Sequence, residues 1–401
     1  MIARVLEARL RDLAGKFPIV TVTGPRQSGK TTLCRAVFPD KPYVSLEAPD
    51  IQEYARSDPR GFLADHEEGA VLDEVHRVPE LLSYLQPLVD EQPSRGRFIL
   101  TGSANFTLLQ SLGQSLAGRT ALLELLPLSL EEIRRFPEPP EDLLTLLWRG
   151  SYPALYDREL EPGDWYPSYV STYLERDVRT ILAVGDLLAF QTFLRLCAGR
   201  VSHLVNFSGL AADAGITHNT ARSWLSVLEA GYVAWRLPPF HINVSKRLVK
   251  TPKLHFTDSG LACYLLGIRS ADQLRDHPSR GAIFETWVAS EILKSRVHRG
   301  LPPSLSFFRD RKGLEVDIVI EDGRSLLAIE TKSGQTIAGD FFAGLESFRA
   351  LAAESHPSRK PRAFLVYGGA EAQKRSVAEV VPWSSLDGCQ WWETRDADAP
   401  A

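Results

Sequence analysis

A chain of 401 residues with 44% hydrophobic and 24% charged residues has an ordinary soluble-protein composition and room for two or three cores. A formal net charge of −4 speaks against a uniformly basic nucleic-acid binder. Cys34, Cys197, Cys263 and Cys389 form no C-x-x-C pair, which disfavours a disulfide framework or a zinc site, and no apolar run approaches the roughly 18 residues of a membrane span. Met1 to Asp12 reads as an amphipathic helix broken by charge rather than a secretory leader, so the expected location is the cytoplasm.

Phe17 to Val22 reads as a β-branched strand, and Thr32 to Phe38 as the start of a helix. Between them Gly24, Pro25, Arg26, Gln27, Ser28, Gly29, Lys30, Thr31 and Thr32 fit the phosphate-loop template G-x-x-x-x-G-K-S/T. Loop N–H groups and the helix dipole then face the phosphates of ATP. Lys30 is expected on the β- and γ-phosphates and Thr31 on Mg²⁺. A second strand is expected at Tyr43–Glu47, then an acidic helical connection from Asp50 to Glu68.

Gly69 to His76 reads as an apolar strand ending in Asp73 and Glu74. Asp73 is the expected Mg²⁺ partner and Glu74 the group that orients the attacking water. The next strand, Arg97 to Asn105, brings Thr101, Ser103 and Asn105 to its tip, where a γ-phosphate sensor or a plain polar loop would lie. Arg119 reads as a nucleotide sensor, an arginine finger acting across a subunit interface, or a surface arginine.

This ordered set resembles the AAA+ ATPase core, and is most similar to a bacterial and archaeal group whose C-terminal half has no assigned function. The resemblance implies ATP and Mg²⁺ as cofactors and a homo-oligomer. Pro137–Pro140 marks an expected boundary, and Arg176 and Arg179 lie on a charged helix that reads as solvated or as contacting the ATPase.

From Ser208 to Val233 the rhythm is helix-turn-helix. Leu210, Ala211 and Ala214 face inward, Gly215 turns, and Thr217 caps a second helix whose Ala221, Trp224, Leu225 and Leu228 pack inward. His218, Asn219, Thr220, Arg222 and Ser223 stay outside, and Tyr232–Leu237 reads as a wing strand. Arg195 to Lys253 carries eight basic residues, Lys246 and Arg247 among them, against Asp213 and Glu229. Such a patch is the footprint of phosphate-backbone contact, although winged helices also serve as protein-binding modules.

Farther on, Glu285 leans toward the apolar stripe of a helix, Asp317 stands alone in an apolar strand, and Glu330 and Lys332 share one face of the next. The set resembles the PD-(D/E)xK nuclease core, with Val316 where the pattern has proline. That resemblance implies catalytic roles for all four residues, with Asp317 and Glu330 on a metal ion. Residues beyond Pro382 read as a final strand and a polar tail.

The chain is thus expected to be an α/β protein. It comprises an N-terminal P-loop AAA+ three-layer domain (1–136), a helical connection (137–190), a winged helix-turn-helix (191–255) and a restriction-endonuclease-like α/β domain (256–395). The expected function is Mg²⁺-dependent ATP hydrolysis coupled to remodelling of duplex or branched DNA, with or without cutting. A nucleotide-gated switch for a protein partner and a transcriptional regulator are the alternatives.

Overall fold

The structure, a computed structural model, describes residues 2–91, 94–103, 116–174, 186–240, 251–310, 313–323, 325–355 and 361–392. Five parallel strands form the N-terminal sheet: β1 (Ile19–Gly24), β2 (Tyr43–Ser45), β3 (Val71–Asp73), β4 (Phe98–Ser103) and β5 (Thr120–Glu124). Their order is β2-β3-β4-β1-β5, so β1 is flanked on both sides and every one of its residues is buried. A β-branched run such as Ile19-Val20-Thr21-Val22 suits a strand covered on both faces. Helix α1 (Leu6–Ala14) presents Leu6, Leu10 and Leu13 to one face, beside Leu33, Cys34 and Val37 of α2 (Lys30–Val37). Because all five strands are parallel, the turns after β1, β3 and β4 open on the same edge of the sheet.

Beyond β5 one hydrophobic cluster runs from Leu126 to Trp391. It includes Trp165, Tyr166 and Tyr169 of helix α3 (Pro162–Tyr169). Asn206 caps α4 (Phe207–Ala214), Gly215 turns in the left-handed region at φ 67°, and Thr217 caps α5 (His218–Ala230). Strands β6 (Ala234–Leu237) and β7 (Lys253–Phe256) then pair antiparallel. The inward residues named from the sequence are all buried.

The expected boundaries at 190 and 255 both fall inside elements. The first cuts the helix Leu187–Ala198, whose Phe190 and Phe193 rings pack edge-on against Trp224 at 5.4 and 5.5 Å. The second cuts β7, whose Phe256 carbonyl accepts from Ser290 Oγ at 2.8 Å. A shared core joins these segments.

The C-terminal sheet has six strands in the order β12-β13-β11-β10-β9-β8. They are β8 (Leu305–Arg309), β9 (Glu315–Asp322), β10 (Ser325–Lys332), β11 (Arg362–Tyr367), β12 (Gln373–Lys374) and β13 (Glu379–Pro382). Helix α6 (Arg280–Val297) covers one face and α7 (Ala343–Ser355) the other. The expected hairpin is β9–β10, paired antiparallel. Past Pro382 the structure departs from expectation. Trp383–Gly388 is a 3-10 turn, and Trp391 is buried edge-on to Phe364 at 5.3 Å because its indole completes the core. No helix among the described residues is long and apolar enough to cross a membrane.

Candidate active site

The phosphate loop leaves the carboxyl end of β1. Gly24 has φ 149°, and a Cβ there would collide with the Leu125 carbonyl; Gly29 has φ 95° and caps α2. Lys30 Nζ turns back onto the carbonyls of Gly24 at 3.1 Å and Pro25 at 2.8 Å. Burial pulls the Lys30 ammonium below the usual lysine range, opposed by the charges of Glu74 and Asp73 and reinforced by that of Arg26. Ser28 Oγ is buried with no hydrogen-bond partner. A buried cation resting on carbonyls and an orphaned hydroxyl in one glycine loop fit a phosphate ligand.

Asp73 ends β3 at the same edge. Its carboxylate accepts from Thr31 Oγ1 at 2.9 Å, from Tyr43 Oη at 2.7 Å, and closely from Thr101 Oγ1. The hydroxyl and carboxylate expected to share Mg²⁺ therefore already touch, and they fit that ion. Next to it Glu74 takes a left-handed φ of 56°, with Oε2 2.9 Å from His76 Nδ1. Burial of Glu74 disfavours its charge, but His76 and Lys30 outweigh this and hold the carboxyl at about 2. Ser103 ends β4 opposite Gly24. Asn105 lies outside the described residues.

Several groups that support the loop went unread in the sequence. Arg4 donates from Nη1 to the Ser28 carbonyl at 2.7 Å, from Nη2 to the Leu126 carbonyl at 2.9 Å, and from Nε to buried Glu132 at 2.9 Å. Trp165 Nε1 of α3 donates to Gln27 Oε1 at 3.1 Å. Tyr232, at φ 57° between α5 and β6, sets its hydroxyl 3.0 Å from Thr23 Oγ1 and also hydrogen-bonds Glu124. No local periodicity signals such contacts, which span up to 209 residues of chain. Beside the loop lies a cavity of about 100 Å³ lined in part by Ile2, Thr32, Leu33, Ala36 and Phe136.

Arg119 is not at this edge. It precedes β5 at the opposite, amino end of the sheet and forms a two-pronged pair with Asp90 at 2.6 and 2.7 Å. A full strand thus separates it from its own phosphate loop, so the expectation that it senses its own chain's nucleotide is corrected.

In the C-terminal domain Glu285, Asp317, Glu330 and Lys332 do come together, but not around an open space. Lys253, the first residue of β7, puts Nζ 2.7 Å from Glu285 Oε1 and 3.6 Å from Asp317 Oδ1, and also pairs with Glu315. Asp317 Oδ2 accepts from the N–H and Oγ1 of Thr331, both at 2.8 Å, and Lys332 Nζ pairs with Glu330 Oε1 at 2.5 Å. Burial, then the neighbouring Asp317 charge, raises the Glu330 carboxyl to about 8. Burial pushes that of Glu285 well up. Among the described residues no group of three or more histidine, cysteine, aspartate and glutamate side chains is disposed to hold a metal ion. The Lys253 ammonium thus occupies the space between Glu285 and Asp317, and a metal shared by those two does not fit beside it, whereas Glu330 Oε2 is buried without a hydrogen-bond partner.

On the helix-turn-helix, His218, Asn219, Arg222 and Ser223 are exposed as expected and Thr220 is half-buried. Arg222 lies 5.5 Å over the Phe207 ring. The basic excess shrinks, however. Arg200 pairs with Asp213, Arg236 makes a two-pronged pair with Glu229, and Lys253 is internal. Lys246, Arg247, Lys250, Arg176 and Arg179 lie outside the described residues.

Comparison with known proteins agrees with the N-terminal geometry. Residues 16–134 match the family described as an AAA domain. Residues 140–272 and 280–386 match two domains of unknown function, DUF8612 and DUF4143. Uncharacterized proteins of Mycobacterium tuberculosis and Mycobacterium bovis are each 30% identical over 318 residues, covering 78% of this chain and 70% of the relative. Among solved structures, a Walker-type ATPase of Pyrococcus abyssi is 18% identical with a TM-score of 0.43, covering 65% of this chain and 94% of that one. RuvB of Thermotoga maritima is 19% identical with a TM-score of 0.28, covering 58% and 87%. The chain belongs to the same family as the two mycobacterial proteins, and its residues 16–134 form an AAA-type P-loop domain.

Proposed function

We propose that this ATPase couples Mg²⁺-dependent ATP hydrolysis to the state of its helix-turn-helix, and through it to duplex or branched DNA. The observation that carries the reading is the Tyr232 hydroxyl on Thr23, one residue before the phosphate loop. In this reading Lys30 binds the β- and γ-phosphates, with the loop from Gly24 to Thr32 around them and the adenine beside Leu33, Ala36 and Phe136. Bound Mg²⁺ neutralises phosphate charge, and Thr31 and Asp73 hold it. Glu74, ionised throughout the neutral range, orients the attacking water, and Thr101 and Ser103 report the γ-phosphate. Arg119, remote from its own site, serves a neighbouring copy in a homo-oligomer. His218, Asn219, Thr220 and Arg222, with Lys246 and Arg247, meet the DNA. Steady-state ATP hydrolysis with and without linear, single-stranded and branched DNA, with Lys30→Ala as blank, tests the coupling. Stimulation by one DNA form is expected.

A second reading, a nucleotide-gated switch for a protein partner, is favoured by the pairing of Arg200 and Arg236 with Asp213 and Glu229. Those pairs remove charge from the surface that DNA would need. Turnover indifferent to every DNA form would select this reading.

A further inference from the structure

Lys253 stands out as a side chain that the ATPase reading does not use. Its residue is 2% exposed, yet it carries a charge. A buried ammonium needs partners, and three carboxylates from two elements supply them: Glu285 from α6, and Glu315 and Asp317 from β9. The Phe307 ring closes the other side at 5.5 Å. Two members are anchored independently of the cluster. Leu237 of β6 fixes the register of Lys253, and Thr331 fixes the rotamer of Asp317 through two hydrogen bonds.

A divalent ion bound by Asp317 and Glu285 would have to sit beside this ammonium. Mg²⁺ demands near-octahedral oxygen ligands at about 2.0–2.1 Å, while one Asp317 oxygen is committed to Thr331 and the other faces Nζ. Coulomb repulsion between the two cations in a buried site is severe.

We propose that Lys253 is the resident cation of this carboxylate cluster, clasping the β6–β7 hairpin to the C-terminal domain and excluding a divalent metal from it. The clasp joins the helix-turn-helix to α6 and β9 by charge, where a nuclease would hold its metal.

Counting bound Mn²⁺ by electron paramagnetic resonance on the full-length, nucleotide-free protein tests this, in an Asp73→Asn background that silences the ATPase site. Asp317→Asn is expected to leave the Mn²⁺ count unchanged. Lys253→Met is expected to gain one Mn²⁺, to lose it again in the Lys253→Met/Asp317→Asn double variant, and to melt higher as Mn²⁺ is added. A Mn²⁺ ion in the Asp73→Asn parent that disappears with Asp317→Asn overturns the proposal. So does a folded Lys253→Met protein that gains none. Should Lys253→Met fail to fold, the comparison of the parent with Asp317→Asn decides alone.

Discussion

The Tyr232 hydroxyl lies 3.0 Å from Thr23 Oγ1, so the residue that closes the helix-turn-helix touches the strand that delivers the phosphate loop. Tyr232 is strained there at φ 57°, and its hydroxyl also serves Glu124, whose carboxyl burial raises. Tyr232→Phe keeps the ring and removes both hydrogen bonds. It is expected to cost about 1 kcal/mol of stability in urea unfolding. It is also expected to abolish DNA stimulation of ATP turnover while ATP binding persists. Stimulation equal to the parent's would disprove the coupling route.

At the phosphate site, Lys30→Ala is expected to abolish hydrolysis. Glu74→Gln keeps the shape of the side chain but cannot accept a proton or oppose the Lys30 charge. Its turnover is expected to fall on the order of 10²-fold or more with ATP still bound, as read by single-turnover hydrolysis and nucleotide titration. Normal hydrolysis by Glu74→Gln would assign the water to another group.

Arg4 and Glu132 form a buried pair at 2.9 Å that ties α1 to the phosphate loop and to the segment after β5. Arg4→Ala leaves Glu132 buried without its strongest partner and is expected to cost about 3–5 kcal/mol, with weakened ATP affinity. Adding Glu132→Gln is expected to recover part of that loss. A double-mutant cycle by thermal or urea unfolding checks it, and strict additivity would show the pair to be uncoupled.

His298 makes stability depend on acidity. Its Nε2 accepts from the Leu126 N–H at 3.1 Å, so the neutral ring carries its proton on Nδ1. Burial holds its pKa down at about 4, against an ordinary 6.5. Between those values the unfolded chain binds the proton and the folded chain does not, so stability falls as pH drops from 6.5 to 4, by up to about 3 kcal/mol. Glu132, lowered to about 2 despite burial by His298 and Arg4, adds a further loss below its ordinary 4.5. Because the raised carboxyls of Glu285 and Glu330 contribute the opposite slope to parent and variant alike, the test is the difference between them: the melting temperature of His298→Gln relative to the parent is expected to rise as pH falls from 6.5 to 4. A difference that does not change with pH would contradict it.

Local order along the chain determined the phosphate loop, the Asp73–Glu74 strand end and the capped helices around Gly215. Each needs only residues a few positions apart: φ > 0 at Gly29, a hydroxyl at Thr217, an apolar period of 3.6 from Ala221 to Leu228. Strand alternation put Glu330 and Lys332 on one face, and the resemblance to the nuclease core grouped them with Glu285 and Asp317. What filled that group was decided elsewhere. Lys253 counted as one more surface cation until the pairing of β7 with β6 buried it among carboxylates from α6 and β9. Arg119 read as a nucleotide sensor, an arginine finger or a surface arginine, and the parallel register set aside the first for its own chain by putting it at the amino end of β5. The supports at Arg4, Trp165 and Tyr232 reach across 24, 138 and 209 residues. Hydrogen bonds of that span leave no periodic trace, since they depend on where separate elements pack, and only the tertiary structure specifies that.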